Sequence, residues 1–127
     1  MIIAIDFDGV LCQNQFPAIG PPNYEVISLT RQLLDAGHEV VLWTSRNGAE
    51  LDAAVDWCED RGLSFSAINA PAPSNHEKYK DMYPTPTRKI YADVYIDDHN
   101  LEYVYNPRYP ADHLIKCMRR ILNNESR

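Results

Sequence analysis

MIIAIDFDGVL opens the chain at residues 1–11. Its first five residues are apolar and isoleucine-rich, the pattern of a short buried strand. The run stops abruptly at Asp6, Phe7, Asp8 and Gly9. Along an extended backbone Asp6 and Asp8 project to the same side. Two carboxylates so placed repel each other, so the stretch calls for a compensating charge.

Working outward, residues 9–22 carry Gly9, Pro17, Gly20, Pro21 and Pro22, which predicts a loop or hairpin flap. A helix is predicted to start near Asn23 or Tyr24 and to end at Gly37. Val26, Ile27, Thr30, Leu33 and Leu34 recur along it at helical spacing. HEVVLW (38–43) reads as a second buried strand, closing at Thr44, Ser45 and Arg46. Asn47 is placed to cap a helix over roughly 48–61, whose Leu51, Ala54, Val55 and Cys58 form an apolar stripe.

LSFSAI (63–68) predicts a third strand, and IYADVYI (90–96) a fourth that ends at Asp97 and Asp98. Between them, residues 69–87 are polar and proline-rich, and read as one long loop. A last helix is predicted over roughly 111–122, with Leu114, Ile115, Met118, Ile121 and Leu122 as its core face. Strands alternating with helices imply an α/β fold. The sheet is expected to be doubly wound and mostly parallel, Rossmann-like, with helices on both faces. No linker or repeat divides the 127 residues, so a single domain is expected.

The bulk numbers narrow the function. A net charge of −6 disfavours general nucleic-acid or membrane-surface binding, because both partners are polyanionic. No apolar run approaches the roughly 20 residues that span a bilayer. Cys12, Cys58 and Cys117 are odd in number and lack CxxC spacing, and no secretory signal is evident. A reducing, cytoplasmic location is expected.

In open α/β sheets ligands bind beyond the carboxyl ends of the strands. Asp6 and Asp8, then Thr44, Ser45 and Arg46, then Asp97 and Asp98 all fall there. Carboxylates converging on one edge repel unless a cation sits among them. Hard oxygen ligands beside a phosphate suit Mg²⁺. One acid of such a pair can attack phosphorus while the other moves a proton. A hydroxyl such as that of Thr44 can hydrogen-bond a phosphoryl oxygen, and a nearby lysine can offset its charge.

These segments resemble the haloacid dehalogenase superfamily. IAIDFDGVL is similar to its first motif, an apolar strand followed by DxDG[TV]. VVLWTSR resembles the second motif, an apolar strand ending in Thr or Ser. RKIYADVYIDDHN resembles the third and fourth, a lysine and then an apolar strand closed by paired acids. The motifs appear in family order across residues 1–100. The resemblance implies that Asp6 is the nucleophile, forming an aspartyl-phosphate, and that Asp8 is the general acid/base. It implies that Thr44 and Lys89 bind the phosphoryl group and that Asp6, Asp8, Asp97 and Asp98 supply the metal site. The dehalogenase branch lacks an acid at the second position, so phosphoryl transfer is implied. Residues 9–22 and 63–87 leave room for a flap but no large cap. Such capless members take large substrates or borrow a lid from another subunit.

Plainer readings stand beside these. Asp8-Gly9 is also a common hairpin pair. An EF-hand loop is excluded, since Val10 stands where the third oxygen ligand belongs. Asp97-Asp98 and Thr44-Ser45 are also plausible helix caps. Ser45 and Arg46 are candidate phosphate contacts, but Arg46 reads equally as a solvated surface charge. Lys78, Lys80 and Arg88 compete with Lys89. His76 and His99 read as surface residues, His99 at the pocket rim. The tyrosines read mostly as half-buried packing, with Tyr79 and Tyr83 the ones to test for substrate contact.

The expectation is therefore a Mg²⁺-dependent phosphomonoester hydrolase acting on a small phosphorylated substrate. A nucleotide or nucleic-acid-end phosphatase and a catalytically silent phosphate-binding module are alternatives. A receiver-like phospho-acceptor domain is a further one, but it needs an acid after the third strand, where Ile68-Asn69-Ala70 stand.

Overall fold

Strand β1, Ile2–Ile5, is the centre of the molecule. It pairs in parallel with β4 (Glu39–Leu42) on one side and β6 (Val94–Ile96) on the other, and β4 pairs in parallel with β5 (Ala67–Ile68). The computed structural model describes residues 1–82, 85, 87–100 and 110–124. The sheet order is β5-β4-β1-β6. After β1 the chain forms an antiparallel hairpin, β2 (Cys12–Gln15) with β3 (Ala18–Pro22), and then helix α1, Tyr24–Asp35. Helix α2, Gly48–Glu59, joins β4 to β5. The short α3, Pro73–Tyr79, lies between β5 and β6, and α4, Pro110–Leu122, comes last. This is an α/β, Rossmann-like arrangement around a four-stranded parallel sheet.

Alternation along the strands sorts residues to two faces. Ile3, Ile5, Val40, Leu42 and Ile96 pack on one side with Val26, Leu29 and Leu33 of α1, Ala54 and Cys58 of α2, and Leu114 and Met118 of α4. Ala4 and Val41 turn the other way, onto Ala72, Ile90 and Ala92. The small residues on this second face let extended chain lie close to the sheet. Its helix, α3, buries no side chain. Three helices therefore cover one face, and the connection between β5 and β6 covers the other.

The expected helices form with the expected core stripes. Leu51 and Val55 of α2 and Ile115, Ile121 and Leu122 of α4 are partly buried against the first core. Asn47 precedes α2 but makes no capping bond through its side chain. Asn23 likewise precedes α1, and its side-chain amide instead donates to the Val10 carbonyl at 2.7 Å. That bond fastens the helix start to the turn after Asp8.

Three predicted elements are revised. The third strand is confined to Ala67–Ile68, because Leu63 turns back to the end of α2, its N–H on the Cys58 carbonyl. The fourth is confined to Val94–Ile96, because Ile90 and Ala92 pack over the sheet rather than within it. The 69–87 loop contains α3, begun by Pro73 at its first turn, where proline costs no hydrogen bond. Tyr83, Tyr103, Tyr105 and Tyr109 lie outside the described residues. No helix among the described residues is long and apolar enough to cross a membrane.

Candidate active site

The parallel register delivers three chain segments to one edge. Ile5 pairs with both Leu42 and Ile96, so the residues following β1, β4 and β6 emerge side by side. The Asp6 N–H donates to the Ile96 carbonyl at 2.9 Å, and the Trp43 N–H to the Ile5 carbonyl at 2.8 Å. Phe7 is buried, edge-on to Trp57. Its burial between Asp6 and Asp8 holds both acids toward the opposite side, as the spacing predicted.

The chain then turns sharply. The N–H groups of Val10 and Leu11 both reach the Phe7 carbonyl, and Gly9 takes φ +83°. A Cβ on Gly9 would stand 2.0 Å from Asp98 Oδ2. Glycine is required here twice over, for its backbone conformation and to let Asp98 close against it. The Asp-Gly pair is thus a turn and part of the acid cluster at once.

Crowding sets the electrostatics. Burial pushes the Asp6 carboxyl up from 3.8 to about 7, and Asp97, Asp98 and Asp8 add repulsion against the Phe7 N–H that favours the charged form. Burial also raises Asp98, aided by Asp97 and opposed by His99. Asp98 Oδ1 is buried without a hydrogen-bond partner in the described structure. Asp97, Asp98 and His99 bring candidate ligand atoms within 4.8 Å of one another. An orphaned buried carboxylate oxygen among acids fits a hard cation, while the exposed His99 of this trio offers nitrogen instead.

Arg46 departs from one of the two readings of its sequence. It is only 3% exposed, not a solvated surface charge. Its Nε and Nη2 grip the two oxygens of Asp8, each at 2.8 Å. Nη1 donates to the carbonyls of Pro17 and Glu50, and Nη2 also to Ala18. All five guanidinium donors are thereby engaged. Its Cζ lies 5.0 Å from the ring centroids of both Phe7 and Phe16. Any phosphate contact from Arg46 must displace one of these bonds, so in this structure it supports Asp8 and the hairpin.

Asp6, Asp8, Thr44, Ser45 and Arg46 line one cleft of about 270 Å³, joined by Asn14 and Phe16 from the hairpin and by His99. Thr44 Oγ1 accepts from the Arg46 N–H at 3.1 Å, which leaves its own proton to donate. The Thr44 N–H is held by Asn69 Oδ1 at 2.8 Å, from just beyond β5. Lys89 is not brought to this cleft: it is exposed, with its ammonium 5.2 Å from the Tyr95 ring centroid. Lys78 rests over Tyr79 and Lys80 pairs with Glu77. Tyr79 and His76 line a separate hollow of about 320 Å³.

Asn14, Phe16 and Asn69 escaped the sequence reading. Only Asn69 left a trace, as a polar residue ending a predicted strand at the same edge. His99 lines the rim where its place after the acid pair put it.

A parallel α/β sheet with an acid-lined cleft at its carboxyl edge defines the class of protein. No family model matches the chain, and no curated protein matches it either. The chain is similar to a solved structure, that of a conserved protein coded by a locus from Bacteroides thetaiotaomicron. The two are 32% identical, with a TM-score of 0.77 over 99% of this chain and 93% of the other. The chain belongs to the family of that conserved protein.

Proposed function

We propose that the chain is a Mg²⁺-dependent phosphomonoester hydrolase of the haloacid dehalogenase type, acting through an aspartyl-phosphate. The observation that carries this reading is the meeting of Asp6, Asp8 and the Asp97-Asp98 pair at the end of the central strand, with Asp98 Oδ1 buried and unpartnered. The strand order supports a doubly wound reading: the chain steps outward through β1, β4 and β5, then returns to the far side of β1 as β6. The free cysteines support a reducing, cytoplasmic setting.

Asp6, Asp98 and Asp97 would hold the cation, with Asp8 contributing beside them. Bound there, Mg²⁺ supplies positive charge that keeps Asp6 ionised and offsets charge on the phosphoryl oxygens. An Asp6 oxygen attacks phosphorus and the ester P–O bond breaks. Asp8 passes a proton to the departing alkoxide, leaving a neutral alcohol. Asp8 then takes a proton from water as its oxygen attacks the phosphorus, which breaks the Asp6–phosphorus bond and frees inorganic phosphate. Because Arg46 grips both oxygens of Asp8, carrying a proton requires one of those two bonds to open. The Thr44 hydroxyl donates to a phosphoryl oxygen, with Ser45 beside it. Lys89 takes part only if its ammonium leaves Tyr95.

Hydrolysis of an aryl phosphate, with Mg²⁺ or with EDTA, tests the reading on wild type and Asp6→Asn. Turnover that needs both the metal and Asp6 is expected. Turnover retained in Asp6→Asn rejects Asp6 as nucleophile.

A further inference from the structure

Phe16 is out of keeping with the cleft it lines. The other walls are acids, hydroxyls, an amide, a guanidinium and an imidazole. Phe16 is 57% exposed at the tip of the hairpin. An apolar ring left in water is a standing cost, recovered when an apolar surface covers it.

The ring is also held in place. The Phe16 N–H donates to Asn14 Oδ1 at 3.2 Å. The next two carbonyls, of Pro17 and Ala18, are held by Arg46 at 3.1 and 3.0 Å. Arg46 is fixed in turn by its fork onto Asp8. One buried guanidinium thus sets both the acid/base and the aromatic ring. Phe16 and Asn14 bring the hairpin tip to the same cleft as Asp6 and Thr44, so an alcohol esterified to a phosphoryl group held there has the Phe16 ring within its reach.

We infer that Phe16 is the specificity-determining wall of this cleft, and that the substrates are phosphomonoesters whose alcohol carries a flat aromatic ring. The inference rests on the phosphohydrolase reading above. A sugar or other polyol covers the ring with less apolar surface and no aromatic edge. A flat aromatic group gains both burial and ring–ring attraction.

The test compares benzylphosphonate with cyclohexylmethylphosphonate, matched in size and resistant to hydrolysis. Each is titrated calorimetrically with Mg²⁺ into wild type, Phe16→Ala and Phe16→Tyr, and the two matching phosphate esters are assayed for hydrolysis. Wild type is expected to bind the benzyl compound about fivefold more tightly. Phe16→Ala should bring the two dissociation constants together, and Phe16→Tyr should restore the preference. Equal affinities in wild type, or a preference that survives Phe16→Ala, overturn the aromatic wall. Hydrolysis of both esters in that case leaves the hydrolase reading standing. A Phe16-dependent preference without hydrolysis upholds the wall and overturns the hydrolase reading. If neither phosphonate binds, the wall falls, and the hydrolase reading falls with it when neither ester is hydrolysed.

Discussion

Gly9→Ala probes the acid cluster through its tightest contact. The added Cβ would lie 2.0 Å from Asp98 Oδ2 and 2.6 Å from Asp98 Cγ. Ordinary contact is about 3.5 Å, so the carboxylate must retreat by roughly 1.5 Å. Forcing atoms into a packed site costs about 1–3 kcal/mol. The backbone adds its own term, because φ is +83° there and a side chain at positive φ costs about 1 kcal/mol. Gly37 separates the two terms. Its φ is +90°, yet nothing lies within 4 Å of a Cβ built on it. Gly37→Ala should therefore lose about 1 kcal/mol and Gly9→Ala about 2–4 kcal/mol in urea unfolding. Combining Gly9→Ala with Asp98→Ala should recover about 1–3 kcal/mol as a favourable coupling. On the proposed reading Mg²⁺ stabilises wild type, and the displaced Asp98 should weaken that stabilisation. Equal losses at Gly9 and Gly37, within about 0.5 kcal/mol, would refute the close approach of Asp98 to the turn.

Two further outcomes follow from the same geometry. Arg46→Met strands Asp8 and releases the hairpin carbonyls, so a loss of about 3 kcal/mol is expected in denaturant unfolding; Arg46→Lys should fare little better, because an ammonium cannot reproduce the fork. In EDTA, wild-type stability should fall as pH rises from about 4 toward about 7. The folded Asp6 carboxyl sits above its ordinary 3.8, so between those values the folded state holds a proton that the unfolded chain has lost. Asp98 is raised in the same sense. Thermal melts of Asp6→Asn should therefore gain on wild type across that window, and Mg²⁺ should close the gap. A difference independent of pH would sink this account.

Local pattern carried the reading furthest where one element decides the outcome. The strand before Asp6, the α1, α2 and α4 stripes and the ends at Thr44 and Asp97 are all visible as short apolar runs with clear stops. LSFSAI and IYADVYI look equally strand-like, yet only their last two or three residues join the sheet. What shortens them is tertiary: Leu63 is drawn under α2, while Ile90 and Ala92 roof the small-residue face around Ala4. No periodicity within either segment encodes that choice. Pro73, read as a loop residue, is equally suited to a first helical turn.

Arg46 shows the same limit at the site. An arginine after Thr44-Ser45 reads equally as a phosphate contact or a solvated surface charge, because arginine is seldom buried unpaired. Its burial depends on Asp8, 38 positions earlier, and on carbonyls at the hairpin tip. Those partners meet only because β1 and β4 are neighbours in the sheet. The same convergence brings Asn14 and Phe16 over the cleft, though neither resembles a catalytic residue in sequence. The first 18 residues therefore supply more than the acid pair. They return a flap to that pair, and Arg46 from the end of β4 ties the two together, so the short hairpin is part of the site rather than a connection beside it.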